Sequence, residues 1–265
     1  MTKRGFKIIT SGIILAILAT LYSCVDDPEF PDTPSISFNS IRYIEQGSTS
    51  QFDSLIVTID FEDGDGDLGL EPDENAPPFN ERNYFSNKTG NVFNFGVETL
   101  EDLLVISDTA RIDSLRDLAN SNVACLFWDE EPQLTVQDQN GNSVPLDTTA
   151  YYQLNQRHNN IFIRFFNDQN NDGIIDEDTE EFNWRTINAP ICSDNYDGRF
   201  PILNEDSGNT ALEGSISRAM VQSVEFGAFL GDGLIKLKIY ILDRAGNRSN
   251  VVETPLFTLR EIRAN

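Results

Sequence analysis

Two runs of oxygen-bearing side chains, spaced two residues apart, are the strongest chemical signal in the sequence. Asp168-Gln169-Asn170-Asn171-Asp172-Gly173-Ile174-Ile175-Asp176 offers side-chain oxygens from Asp168, Asn170 and Asp172. Gly173 stands where such a loop turns sharply, Ile174 would give its backbone carbonyl, and Asp176 would bind directly or through water. Alternate spacing lets several oxygens converge on one hard cation, and Ca²⁺ takes six to eight of them. The twelfth position is Thr179, where a bidentate Glu is usual, and Asp178, Glu180 and Glu181 stand beside it as substitutes. The second run is Glu62-Asp63-Gly64-Asp65-Gly66-Asp67-Leu68-Gly69, with Asp63, Asp65 and Asp67 separated by glycines. Each run also has a plainer reading, a polar or Gly-rich turn that holds no metal. The expected role of Ca²⁺ in either is structural, relieving repulsion within an acidic loop.

The D-x-N-x-D-G-x-x-D order at 168–176 resembles the start of EF-hand-like and dockerin-like calcium loops. Its flanks read as strands, so a metal-bearing β-hairpin loop is expected, not a helix–loop–helix. Leu68 fills the glycine position of the other run, which is therefore not an EF-hand loop.

Catalytic chemistry finds little support. His158, the single histidine, sits in the polar stretch Gln156–Asn160 and reads as a surface-loop residue. One histidine excludes a multi-histidine metal site, and no G-x-S-x-G, P-loop or H-E-x-x-H run occurs. Paired carboxylates can hydrolyse glycosides, but among 43 acids no pair stands out. The chain is expected not to be an enzyme.

These residues need a scaffold, and period-two patterning supplies it. Ser35–Ile44 reads as a strand. In Ser54–Phe61, Leu55, Val57, Ile59 and Phe61 share one face. Gly47–Ser50 reads as the turn between the two. Asn140-Gly141 marks a hairpin between Gln133–Gln137 and Asn142–Leu146. Ile161–Phe166, with Glu181–Ile187 as partner, Leu234–Leu242 and the returning Val251–Leu259 complete the strands. Asp108–Asn120 alone has helical spacing, and Thr99–Val105 suggests a helical turn before it. The expected fold is mainly β, an antiparallel immunoglobulin-like β-sandwich over residues 35–262 with a short helical insertion near 98–120. Whether the central region forms a second subdomain stays open.

The N-terminus gives an address. Lys3, Arg4 and Lys7 precede an uncharged run, Ile8–Leu21. That run is too short for a span of about 20 apolar residues and suits a signal peptide over residues 1–23. Leu21-Tyr22-Ser23-Cys24 resembles a bacterial lipobox, which implies lipidation at Cys24. Residues 24–34 (CVDDPEFPDTP) read as an acidic, Pro-rich tether. The acids Asp26, Asp27 and Glu29 resemble the export signal of Bacteroidota surface lipoproteins. With Cys24 lipidated, Cys125 and Cys192 remain as a candidate disulfide outside the cytoplasm.

The segments VTIDFEDGDGDLGL and LKIYILDRAGNRSNVV resemble a family of uncharacterised Bacteroidota lipoproteins with immunoglobulin-like β domains. The resemblance implies that fold and a lipid-anchored outer-membrane location exposed at the cell surface. Ser54, Thr109, Ser114 and Thr148 fall in Asp–Ser/Thr–small or apolar triplets that resemble the Bacteroidota O-glycosylation motif. The net charge of −24 rises by three negative units once residues 1–23 are removed, and such a chain repels phosphate backbones, so no nucleic-acid partner is expected. Two functions fit. One is a non-catalytic accessory or scaffold subunit of an outer-membrane β-barrel complex for assembly, secretion or uptake. The alternative is a ligand-binding, glycan-capturing surface lipoprotein, for which an exposed Trp/Tyr platform would speak.

Overall fold

A computed structural model describes residues 29–45, 52–94, 96–105, 126–128, 135–137, 143–145, 150–182, 196–204, 210–222 and 226–264. Its strands are β1 (Ser35–Ile44), β2 (Asp53–Asp63), β3 (Arg82–Tyr84), β4 (Leu126–Trp128), β5 (Thr135–Gln137) and β6 (Ser143–Pro145). They continue with β7 (Tyr151–Leu154), β8 (Ile161–Asn167), β9 (Glu181–Phe182), β10 (Leu212–Gln222), β11 (Ile235–Ile241) and β12 (Val252–Glu253). One five-residue α-helix, α1 (Phe226–Leu230), lies between β10 and β11. No helix among the described residues is long and apolar enough to cross a membrane.

Two antiparallel sheets carry the fold, one in the order β1-β2-β10 and the other β12-β11-β8-β9. Period two explains both. Leu55, Val57, Ile59 and Phe61 turn inward from β2, and Ile235, Leu237, Ile239 and Ile241 turn inward from β11. These two faces share one buried cluster with Ile161, Ile163 and Phe165 of β8 and Ile216 and Met220 of β10. Alternating apolar faces can leave water only against each other, so the result is a two-layer sandwich. Each fully buried aliphatic or Phe side chain contributes roughly 1.5–3 kcal/mol relative to exposure. The other face of the second sheet carries Phe162 stacked on Tyr240 and a buried Phe166 under a charged cover, in which Lys236 and Lys238 meet Glu177 and Glu253, and Arg164 meets Glu181.

Between β2 and β8 the chain builds a smaller sheet, β3-β7-β4, with its own buried cluster of Tyr84, Phe93, Leu103 and Ala150. The hairpin expected around Asn140-Gly141 forms as β5–β6, with Val136 opposite Val144. A 3₁₀ turn at Leu100–Asp102 stands where a helical turn was expected. The helical pattern at 108–120 and the turn at 47–50 lie outside the described residues. The end of the tether is not free of the domain: the Gly64 amide donates to the Pro31 carbonyl at 2.9 Å, and Pro34 is buried.

Candidate binding pocket and carboxylate centre

The long connection from β2 to β8 is held down at a few points. Arg199 donates to the carbonyls of Glu71 (2.9 Å), Glu74 (3.0 Å) and Phe79 (2.9 Å), and also to the His158 carbonyl. The His158 ring nitrogen Nδ1 lies 3.0 Å from the same Phe79 carbonyl. His158 is therefore a half-buried structural residue in a 3₁₀ turn, not an exposed loop residue. Arg244, from the turn after β11, forms a bidentate pair with Glu74 at 2.6 and 2.8 Å. The guanidiniums of Arg157 and Arg244 lie 5.4 and 4.9 Å from the centroid of the Phe79 ring.

Beside this clasp opens a pocket of about 540 Å³. Its wall comes from 77–84, from 92–94 with Gly96, and from the turn after β7. Arg82 and Arg157 bring two guanidiniums, and Asn80, Asn83, Asn94 and Asn155 bring four amides. Tyr84 and Phe93 supply apolar floor. Among the described residues no Asp or Glu lines it, although the chain has 43 acids and 19 bases. The wall is ordered by its own hydrogen bonds. Asn155 Nδ2 donates to the carbonyls of Pro78 (2.7 Å) and Asn80 (2.8 Å), and Asn80 Nδ2 donates to the Arg82 carbonyl (2.6 Å). Arg82 stacks over the Tyr152 ring at 4.5 Å, fixing its long side chain. Sequence reading missed this pocket, because the pairing of β3 with β7 brings its two halves together.

Among the described residues, one acidic group has ligand oxygens all within 4.8 Å of one another: Asp63, Asp65 and Asp67. Asp63 ends β2 and is fully buried. Neither of its carboxylate oxygens has a hydrogen-bond partner, nor does Asp67 Oδ1. Asp67 Oδ2 accepts from the Ala245 amide at 3.0 Å. Burial, then the charges of Asp65, Asp67 and Asp243, pushes the Asp63 carboxyl up to about 7. Asp67 is raised for the same reasons. Gly69 is needed here: its φ is +105°, and a Cβ would lie 2.3 Å from the Pro201 carbonyl oxygen.

The 168–176 run is a tight loop between β8 and β9, with Asn171 and Gly173 at φ of 58° and 84°. Asp168 is buried and accepts the amides of Asp172 (3.2 Å) and Gly173 (2.9 Å). Asn170 and Asp172 accept the amides of Asp172 and Ile174 at 2.8 and 2.9 Å, and Asp176 accepts that of Asp178 at 3.1 Å. Of the proposed substitutes for Thr179, Glu180 turns into the loop and accepts the Gln169 and Asp176 amides at 3.1 and 2.8 Å. Glu181 turns out to Arg164. The loop thus has the turn expected of it, while its carboxylates do not gather as the Asp63 group does.

Ser54 lies half-buried on the central strand, between Ile44 and Val221. Cys24, Cys125, Cys192, Thr109, Ser114, Thr148 and Trp184 lie outside the described residues. Trp128 is placed on β4.

Comparison of the chain with protein-family models, with curated proteins and with solved structures finds no match.

Proposed function

We propose that this chain is a non-catalytic, lipid-anchored outer-membrane protein, exposed at the cell surface, that captures a small anionic, hydroxyl-bearing ligand such as an acidic sugar. The observation that carries this reading is the pocket lined by Arg82, Arg157 and four asparagines, with no carboxylate among the described residues. Guanidiniums recognise carboxylates or phosphates bidentately, and amides suit hydroxyls. Preordered polar groups around an apolar floor are what small-ligand sites use.

Strand order supports an immunoglobulin-like reading of the sandwich. Lettered along the chain, the strands of the two main sheets run A-B-E and G-F-C-C′, an order of the immunoglobulin type in which C′ joins the G-F-C sheet. The B–C connection then carries the pocket. In antibody variable domains the B–C and F–G loops share the recognition end, an analogy of fold alone.

The test uses the mature lipidated protein in detergent on an array of acidic and neutral glycans. Acidic ligands are expected to bind, and Arg82→Ala and Arg157→Ala each to weaken binding tenfold or more, the scale of a lost charge-assisted hydrogen bond. Unchanged binding in both variants would reject the pocket. A pull-down from native membranes runs beside it. A stoichiometric β-barrel protein together with a silent array would replace capture with the accessory-subunit reading.

A further inference from the structure

Among the described residues no Lys or Arg forms an ion pair with the carboxylates at the end of β2. Asp63 is buried with both oxygens unpartnered, and one Asp67 oxygen is buried in the same condition. Asp65 completes a set whose oxygens lie within 4.8 Å of one another. Asp243 adds charge from the turn after β11, but its own oxygens are taken by the Gly246 and Asn247 amides at 2.6 and 2.7 Å and by Asn247 Nδ2 at 2.7 Å. The guanidinium of Arg244, whose charge reaches Asp67, is bound to Glu74. Buried carboxylates without partners are costly, and polar groups of this kind are normally satisfied by protein, water or an ion.

We propose that Asp63, Asp65 and Asp67 bind one Ca²⁺ ion, which clamps the end of β2 to the turn after β11. The donor set is all oxygen, which suits a hard cation over zinc or copper. Calcium fits better than magnesium, because Ca²⁺ accepts irregular coordination from crowded carboxylates while Mg²⁺ demands a near-ideal octahedron. Asp67 already bridges the two elements, since its carboxylate and carbonyl accept from Ala245 and Arg244. An ion on its free oxygen would add a second bond between them. This ion is independent of ligand capture in the pocket.

The test is calcium binding and thermal melting of the full mature protein, stripped with chelator and titrated with CaCl₂ or MgCl₂. Calcium, and not magnesium, is expected to raise Tm. Asp65→Asn, at a half-buried position that should tolerate the change, is expected to weaken calcium at least tenfold. Asp63→Asn is expected to raise Tm of the calcium-free protein, by removing a buried charge, and to abolish the calcium response. Asp172→Asn is expected to leave that response intact. The proposal is overturned if calcium leaves Tm unchanged, or if Asp172→Asn removes the response while Asp65→Asn keeps it.

Discussion

Glu177 accepts hydrogen bonds from two lysine ammonium groups at once, Lys236 first and Lys238 second, and these hold its carboxyl down at about 2 against an ordinary 4.5. A carboxyl lowered by folding stabilises the native state above its unfolded value, and that contribution is lost as pH falls. The expected window is from about 4.5 down to about 2. Glu253, lowered mainly by Lys238, adds to it. Because Glu177 is partly exposed, solvent screening holds the pair to under about 1 kcal/mol. Urea midpoints measured from pH 6 to pH 2.5 should fall less in Glu177→Gln than in the wild type; equal slopes would deny the lysine pair any role. At this scale the sequence was partly legible. The two-residue spacing of Asp63, Asp65 and Asp67 is local and marks them as a candidate set. That both Asp63 oxygens and one Asp67 oxygen are buried without partners depends on distant backbone, such as Pro31 against Gly64, and no local pattern carries it.

Elements were legible where one face is uniformly apolar. Leu55, Val57, Ile59 and Phe61 announce β2, and β1 has the bounds that its pattern predicts. The eleven-residue β10 went unread. It runs beside β2, and its positions in phase with Ile216 and Met220 include Gly214 and Arg218, which break the apolar alternation. Both have tertiary reasons. A Cβ on Gly214 would lie 3.2 Å from the Phe61 ring, and Arg218 reaches toward the backbone at 197–198. Short strands such as β3 and β7 exist by pairing and carry too few residues for a period. The loop after β2 depends on glycine in the same way. Gly69→Ala should lower stability by roughly 1–3 kcal/mol for the left-handed backbone alone, with further loss from the contact with Pro201. The check is a drop in denaturant midpoint at unchanged slope. No drop would mean that the loop rearranges freely and does not hold the carboxylates in place.

At the scale of the whole molecule, two buried clusters divide the work: the sandwich core of β1, β2, β8, β10 and β11, and the small core under β3 and β7 that backs the pocket. The sandwich could be read from periodicity, while the second core could not, since Tyr84, Phe93, Leu103 and Ala150 follow no shared period. One feature of the first sheet reaches further. β1 starts with Ser35 opposite Glu62, so the chain enters the domain at the end that bears Asp63, the turn after β11 and the pocket. From Cys24 to Phe30 is six peptide units, at most about 20 Å of reach. A lipid on Cys24 would therefore orient the molecule, with its recognition end looking down at the headgroups and the 168–180 loop pointing outward. The leash would then restrict prey to what lies near the bilayer plane. Fluorophores at Val92→Cys and Ile174→Cys, with Cys125 and Cys192 changed to Ser, would report this in vesicles carrying a headgroup quencher. Stronger quenching at 92 is the expected sign of a downward-facing pocket, and stronger quenching at 174 would turn the molecule over.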